Sequence, residues 1–205
     1  APFSPASTRS RASSGNVASR SKSEMPPTWP CSPRRAQPLF RRPPLRSRRF
    51  VAICVPMISI RPARAADGAR LLDIWRRAVD ATHDFLEATD RQAIDQEVSA
   101  FLPQSAAWLA TDADDCAVGF MLIDGTHMDA LFIDPDWHGK GVGRSLVEHG
   151  LALHPAMTTH VNEQNEGALT FYERMGFART GRSDHDGQGR PYPLLHLRYA
   201  PETGR

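Results

Sequence analysis

Apolar and polar residues alternate over Ile58–Arg61, the signature of a short half-buried strand. The period then changes: Leu71, Leu72, Ile74, Trp75, Ala78 and Val79 recur at helical spacing, with Asp67 placed to cap the helix N-terminus. A second helix is predicted over Arg91–Phe101, stopped by Pro103. Ala107–Thr111 and Cys116–Ile123 read as strands across an Asp-rich turn, and Asp124-Gly125 makes a tight hairpin into a strand over His127–Ile133. A glycine-rich turn follows, then a helix over about Gly143–His154 and a strand over Thr158–Asn162. A last helix, Gly167–Met175, ends at Gly176, and Phe177–Ser183 and Leu194–Tyr199 pair around the polar loop Asp184–Arg190. Hairpins and crossovers together predict an α/β domain with a mixed sheet.

No such period precedes Met57. Ala1–Pro56 holds 10 of the 17 prolines, many serines, and 11 of the 25 Lys/Arg against 1 of the 23 Asp/Glu. That composition buries too little apolar surface to offset backbone ordering, so residues 1–56 are expected to be a disordered extension. An Arg-mediated nucleic-acid contact, an organelle transit peptide and translated sequence upstream of the true start all fit it. The third is favoured, because Met57-Ile-Ser-Ile opens directly into a strand. The domain is expected at 57–200, with 201–205 as a tail.

The overall charge of +2 therefore averages a basic extension and an acidic domain. The cysteines are Cys31, Cys54 and Cys116; no CxxC pair exists and only Cys116 falls in the domain, which suits a reducing cytoplasm. The longest apolar run outside the domain is the six residues Phe50–Val55, too short for a membrane span.

The strongest local signal is the stretch from Leu131 through Asp134-Pro135 and His138-Gly139-Lys140-Gly141-Val142-Gly143 to Arg144. A buried strand ends, proline breaks it, glycines follow, and a helix begins. Glycines let backbone N–H groups converge without Cβ obstruction, and a helix N-terminus adds partial positive charge. The arrangement suits a phosphate or pyrophosphate, with Lys140 and Arg144 at the rim. A Walker loop is excluded because Lys140 precedes Gly141 rather than Ser or Thr. A dinucleotide fingerprint is excluded by the G-x-G-x-G spacing and its late position.

His138 to Gly143 resembles the R/Q-x-x-G-x-G/A acetyl-CoA loop of the GNAT superfamily, with His138 replacing the usual Arg or Gln. Asn165-Glu-Gly-Ala168-Leu-Thr-Phe171-Tyr172-Glu-Arg-Met-Gly176-Phe177 resembles the superfamily's N-x-x-A-x-x-F-Y-x-x-x-G-F block. Within it, Ala81–Leu86, Gly119–Leu122, His127–Pro135 and Pro191–Leu195 are similar to the bacterial YjaB type. The resemblance spans nearly all of 57–200. It implies the acyl-CoA N-acyltransferase fold, a mixed and mostly antiparallel sheet flanked by helices. It implies that backbone groups of Leu131, Phe132 and Ile133 pair with the pantetheine arm of acetyl-CoA. Backbone amides of Gly139, Lys140, Gly141, Val142, Gly143 and Arg144 would hold the pyrophosphate, and the Asn165 side chain would bond the pantetheine.

Transfer to an amine needs a neutral nucleophile, a stabilised oxyanion and a proton for the departing thiolate. By family position Tyr172 supplies the proton; an unperturbed phenol at ~10 is protonated at neutral pH, above a thiol at ~8.5. The oxyanion donor is expected at a main-chain N–H near Phe132 or Ile133. The base is expected at His127, which opens the central strand, with Glu163 a further option. Asp129, two residues on, would share the face of His127, and His83 would line the acceptor side. His160, His185 and His196 follow no metal-ligand spacing, so no metal is expected. The expected activity is acetyl-CoA-dependent N-acetylation of a protein lysine or small amine, by a monomer or homodimer. Nucleic-acid and membrane contacts are not expected. The competing readings are a silent acyl-CoA sensor and a nucleic-acid binder acting through the Arg-rich extension.

Overall fold

The computed structural model describes residues 57–200; the extension at 1–56 and the tail at 201–205 lie outside the described residues. Seven strands form one mixed sheet: β1 (Ser59–Pro62), β2 (Ala107–Thr111), β3 (Ala117–Asp124), β4 (His127–Ile133), β5 (Thr158–Asn162), β6 (Phe177–Ser183) and β7 (Leu194–Tyr199). Four helices accompany them: α1 (Gly68–Thr82), α2 (Ala88–Phe101), α3 (Val142–Leu153) and α4 (Glu166–Arg174). The sheet order is β1-β2-β3-β4-β5-β7-β6. Every pairing is antiparallel except β4 with β5, which a crossover through α3 makes parallel.

The helices cover both faces. Leu71, Ile74, Trp75 and Val79 of α1 and Val98 of α2 pack with Leu109, Phe120, Leu122, Ala130 and Phe132. Leu146 and Val147 of α3 and Tyr172 of α4 pack on the other face with Met121, Met128, Val161, Leu195 and Leu197. Burying a side chain of this size is worth about 1.5–3 kcal/mol, so these two apolar layers hold the sheet between its helices.

Element order follows the hydrophobic pattern, and the differences are local. Asp67 stands at the N-cap of α1 but makes no capping bond there. Its carboxylate instead accepts from both terminal guanidinium nitrogens of Arg61, at 2.8 and 3.1 Å, and from the Arg64 N–H at 2.7 Å. Charge-assisted bonds are stronger than a neutral cap, so the side chain turns to arginine. The second helix starts at Ala88 rather than Arg91, with Glu87 as its N-cap. Pro103 lies in a 3-10 turn, Leu102–Gln104, that closes it.

One irregularity shapes the centre. Ile123 pairs with Met128 but Leu122 pairs with Ala130, so Asp129 is an extra residue in β4. Such a bulge breaks strict alternation. Met128 accordingly joins the α3/α4 core while Ala130 and Phe132 join the α1/α2 core.

Candidate active site

β4 and β5 pair only at His127↔Thr158 and Met128↔Thr159. Beyond that point the strands part, leaving Ala130–Ile133 and His160–Asn162 facing a gap. β5 stays in the sheet because β7 pairs along its full length. A cavity of about 670 Å³ occupies the gap, with walls from both faces of the sheet. Its lining includes Leu131, Phe132, Ile133, His138, Gly139, Gly141, Val142, Gly143, Arg144, Asn165, Tyr172 and His83. The structure thus brings twelve of the residues singled out by sequence to one place. Lys140, His127 and Asp129 are not on its wall.

The glycine loop forms one end. Gly139 and Gly141 have φ of +72° and +83°, and Gly141 is the N-cap of α3. L-residues with a side chain adopt that left-handed region at a cost. An α-helix leaves its first N–H groups without intrahelical acceptors, so Val142, Gly143 and Arg144 present theirs here. A Cβ built at Gly139 or Gly141 meets nothing within 4 Å; the glycines face open space, as a cradle requires. Lys140 lays its ammonium 4.7 Å from the centre of the Trp137 ring. The ring of His138 donates to the Ile133 carbonyl at 3.2 Å, joining the loop to the strand end.

The approach to this loop is braced by charge. Asp134, 1% exposed, accepts from Arg70 of α1 at 2.6 Å and from Arg77 of α1, and caps the turn Pro135–Trp137 through the Asp136 N–H at 3.0 Å. A buried carboxylate left without its arginines is strongly destabilising, so α1 fixes where β4 stops and the glycines begin.

Tyr172 stands at the fork of the two strands. It is 6% exposed and shares a hydrogen bond with Thr159, whose hydroxyl also donates to the Met128 carbonyl at 2.9 Å. Burial pushes its phenol well above the ordinary tyrosine value, and the Thr159 bond offsets only part of that. The hydroxyl therefore stays protonated over the working pH range, as a donor must. Asn165 combines two duties. Its carbonyl oxygen caps α4 by accepting from the Ala168 N–H at 3.0 Å, while the residue lines the cavity.

The expected bases are distributed differently from one another. Glu163 is held in a two-toothed ion pair by Arg182, 2.8 Å at the closest, and the guanidinium holds its carboxyl below the usual range. His127 bonds the Thr158 hydroxyl through Nδ1 at 2.9 Å, and its Nε2 lies 3.8 Å from Asp129. The two side chains meet despite the bulge between them. Burial raises the Asp129 carboxyl. His83 lines the cavity from the end of α1, with Nδ1 2.8 Å from the Thr82 hydroxyl and its ring among Phe85 and Phe132. Burial, helped by the charge of Arg91, pushes it down to about 3.

Two residues of β5 complete the wall and were not singled out for this role by sequence. His160 is one, and its ring packs 4.6 Å from that of His127. Asn162 is the other: 4% exposed, with an Oδ1 that has no hydrogen-bond partner. The strand pattern offered a signal for both, since His160 and Asn162 share one face of a strand whose other face carries Thr159 and Val161. Among the described residues no group of three His, Cys, Asp or Glu is placed to hold a metal ion, and no helix is long and apolar enough to cross a membrane.

Residues 73–189 match the acetyltransferase (GNAT) domain family. The peptidyl-lysine N-acetyltransferase YjaB of Salmonella typhimurium is 56% identical over 143 residues, which is 70% of this chain and 99% of that protein. The protein of the same name from Escherichia coli K12 is also 56% identical, over 70% of this chain and 97% of its own length. The solution structure of apo-form YjaB from E. coli superposes with a TM-score of 0.69 at 55% identity, covering 71% of this chain and 99% of that one.

Proposed function

The chain belongs to the GNAT acetyltransferases and is an N-acetyltransferase, and from that premise we propose that it moves acetyl from acetyl-coenzyme A to the side-chain amine of a polypeptide lysine by direct attack on the thioester. The observation that carries this reading is the parting of β4 from β5, with Tyr172 at the fork and the glycine loop at the end of the gap. The gap suits the pantetheine arm. Backbone groups of Leu131–Ile133, freed from β5, would pair with it as an added strand would. The pyrophosphate would rest on the N–H groups from Gly139 to Arg144. The unpaired Oδ1 of Asn162 is an acceptor awaiting an N–H, since a buried polar group left unsatisfied costs about 1–3 kcal/mol.

The chemistry then divides between the two faces. The acceptor amine enters from the α1/α2 side, past His83, and its lone pair attacks the thioester carbonyl. A main-chain N–H of β4 near Phe132 or Ile133 stabilises the oxyanion. As the C–S bond breaks, Tyr172 donates toward the sulfur from the α4 side. A phenol whose pKa burial has raised gives up its proton reluctantly, so its contribution begins as a hydrogen bond to the developing thiolate and proceeds to transfer as charge builds on sulfur. Lysine as acceptor is supported by the names of the YjaB relatives. A cytoplasmic location fits the same reading.

The test is a thiol-release assay with acetyl-CoA, lysine-containing peptides and small amines, alongside thermal melts with acetyl-CoA. Lysine peptides should support turnover better than small amines. A protein that is stabilised by acetyl-CoA yet releases no thiol whichever amine is supplied is a sensor, and the enzymatic reading fails.

A further inference from the structure

His160 and His196 sit directly opposite each other on β5 and β7, and His127 lies beside them on β4. Their rings form a continuous row, with centres 4.6 Å apart between His127 and His160 and 4.3 Å apart between His160 and His196. The neighbours Met128, Val161, Leu195 and Leu197 face the α3/α4 core, so by strand alternation the row lies on the acceptor side of the sheet. Both outer rings are held: His127 Nδ1 by the Thr158 hydroxyl at 2.9 Å, and His196 Nε2 by the Ser183 hydroxyl at 2.8 Å. Only the middle ring, His160, lines the cavity.

Building on the acetyl-transfer reading, we propose that His160 takes the proton of the attacking amine, and that His127, packed against it and backed by Asp129, passes that proton to solvent. The amine nitrogen forms its bond to the acetyl carbon and loses one proton to the His160 ring. The C–S bond breaks, and the sulfur takes one proton from Tyr172. His160 hands its proton to His127 and the bulk, and Tyr172 regains one from solvent, so products are the acetylated amine and the free thiol. His83 also lines the cavity, but it stands outside the histidine row, with its Nδ1 bonded to the Thr82 hydroxyl and its ring beside Phe85 and Phe132.

The surroundings of His160 keep it neutral. The titratable groups packed on its ring are His127 on β4 and His196 on β7, with Asp129 behind His127, while Glu163, just past the end of β5, is turned to Arg182. Burial, with His127 and then His196 adding to it, pushes His160 down to about 4. Such a ring cannot strip a free ammonium, with its pKa of ~10.4. It suffices for an amine whose nitrogen has begun to bond to carbonyl carbon, because that nitrogen turns strongly acidic. The enzyme would therefore accept its amine already neutral.

Two measurements on the full chain test this. In the first, histidine ring resonances are followed by NMR against pH. One ring should titrate near pH 4 in the wild type, disappear in His160→Gln, and titrate at higher pH in His127→Gln. In the second, kcat is measured at saturating acceptor for folded variants. His160→Gln should lose about 10²-fold with its acetyl-CoA stabilisation intact. His127→Gln should lose less, with the acid limb of kcat moved up alongside the NMR midpoint, which a merely structural residue would not do. Wild-type kcat in His160→Gln overturns the proposal. So does a large loss confined to His127→Gln, which would put that ring on the amine, or one confined to His83→Gln. No ring titrating near pH 4 in the wild type also overturns it, without needing a variant to fold. A wild-type protein that acetylates no amine refutes the underlying reading instead, and takes this proposal with it.

Discussion

Gly141 offers the sharpest test of the cradle, because its two possible roles separate in energy. With φ at +83°, any L-residue there is strained by about 1–2 kcal/mol. A new Cβ meets no atom within 4 Å, so no clash adds to that. For a domain of this size the strain amounts to a fall in Tm of about 2–8 °C. Gly141→Asp adds a carboxylate facing the same open space. At a separation of about 5 Å and an effective dielectric of about 20, one unit charge repels another by about 3 kcal/mol, or a loss of acetyl-CoA affinity of about 10²-fold. Ligand at 100 times its Kd stabilises the native state by about 2.7 kcal/mol; weakening Kd 100-fold leaves about 0.4 kcal/mol. Thermal melts with and without acetyl-CoA should thus show the shift nearly vanish. Gly125→Asp is the control, since Gly125 is also left-handed, at +56°, and open, but lies at the β3–β4 turn away from the cavity wall. It should cost comparable stability and keep the full shift. A folded Gly141→Asp that keeps the wild-type shift would refute the cradle.

Three further outcomes follow from single side chains. Tyr172→Phe should lower kcat by about 10²-fold with little change in acetyl-CoA affinity, and cost only about 0.5–1.5 kcal/mol, the net worth of one hydrogen bond, because the Thr159 hydroxyl keeps its bond to the Met128 carbonyl; unchanged kcat in the folded variant would leave the hydroxyl with a packing role alone. Asn162→Ala should weaken acetyl-CoA binding by roughly tenfold while leaving the apo Tm unchanged or higher, because its Oδ1 has no internal partner to lose; a Tm that falls with binding intact would contradict this. His83 is held near 3 when folded but titrates at ~6.5 unfolded, so the unfolded chain binds the extra proton between those values and stability falls as pH drops through that window, by about 2 kcal/mol at pH 5. Urea melts at pH 8 and pH 5 should show that loss shrink in His83→Phe, and an equal loss in both proteins would place the sensitivity elsewhere.

The order of elements was legible because each carries its own period. The strands Ala107–Thr111, His127–Ile133, Thr158–Asn162, Phe177–Ser183 and Leu194–Tyr199 have the expected bounds. Helix starts were harder, for a reason Asp67 makes plain. A carboxylate before a helix can cap it or pair with arginine, and the choice depends on Arg61, which the fold brings across from β1. The glycine loop was legible for the opposite reason. The role proposed for it rests on backbone conformation, and Gly139 and Gly141 mark left-handed φ locally.

The histidines of the proposed proton path were hard to choose among because their rank depends on contacts between strands. Read along the chain, His127 opens the central strand and His160 is one histidine among several without metal-ligand spacing. Three features distinguish them in space: a bulge at Asp129, a parallel pairing that stops after Met128, and a β7 strand that sets His196 against His160. None has a local signature. The bulge inverts which residues of β4 face which core, and the short pairing opens the gap that His160 faces. Strand separation therefore does double duty in this domain. On the reading proposed above, it frees the backbone of Leu131–Ile133 for an acyl carrier and exposes the ring of His160 to the amine the carrier would meet. A mutation that restored β4–β5 pairing past Thr159 would impair both together, whereas loss of the imidazole alone should spare the carrier.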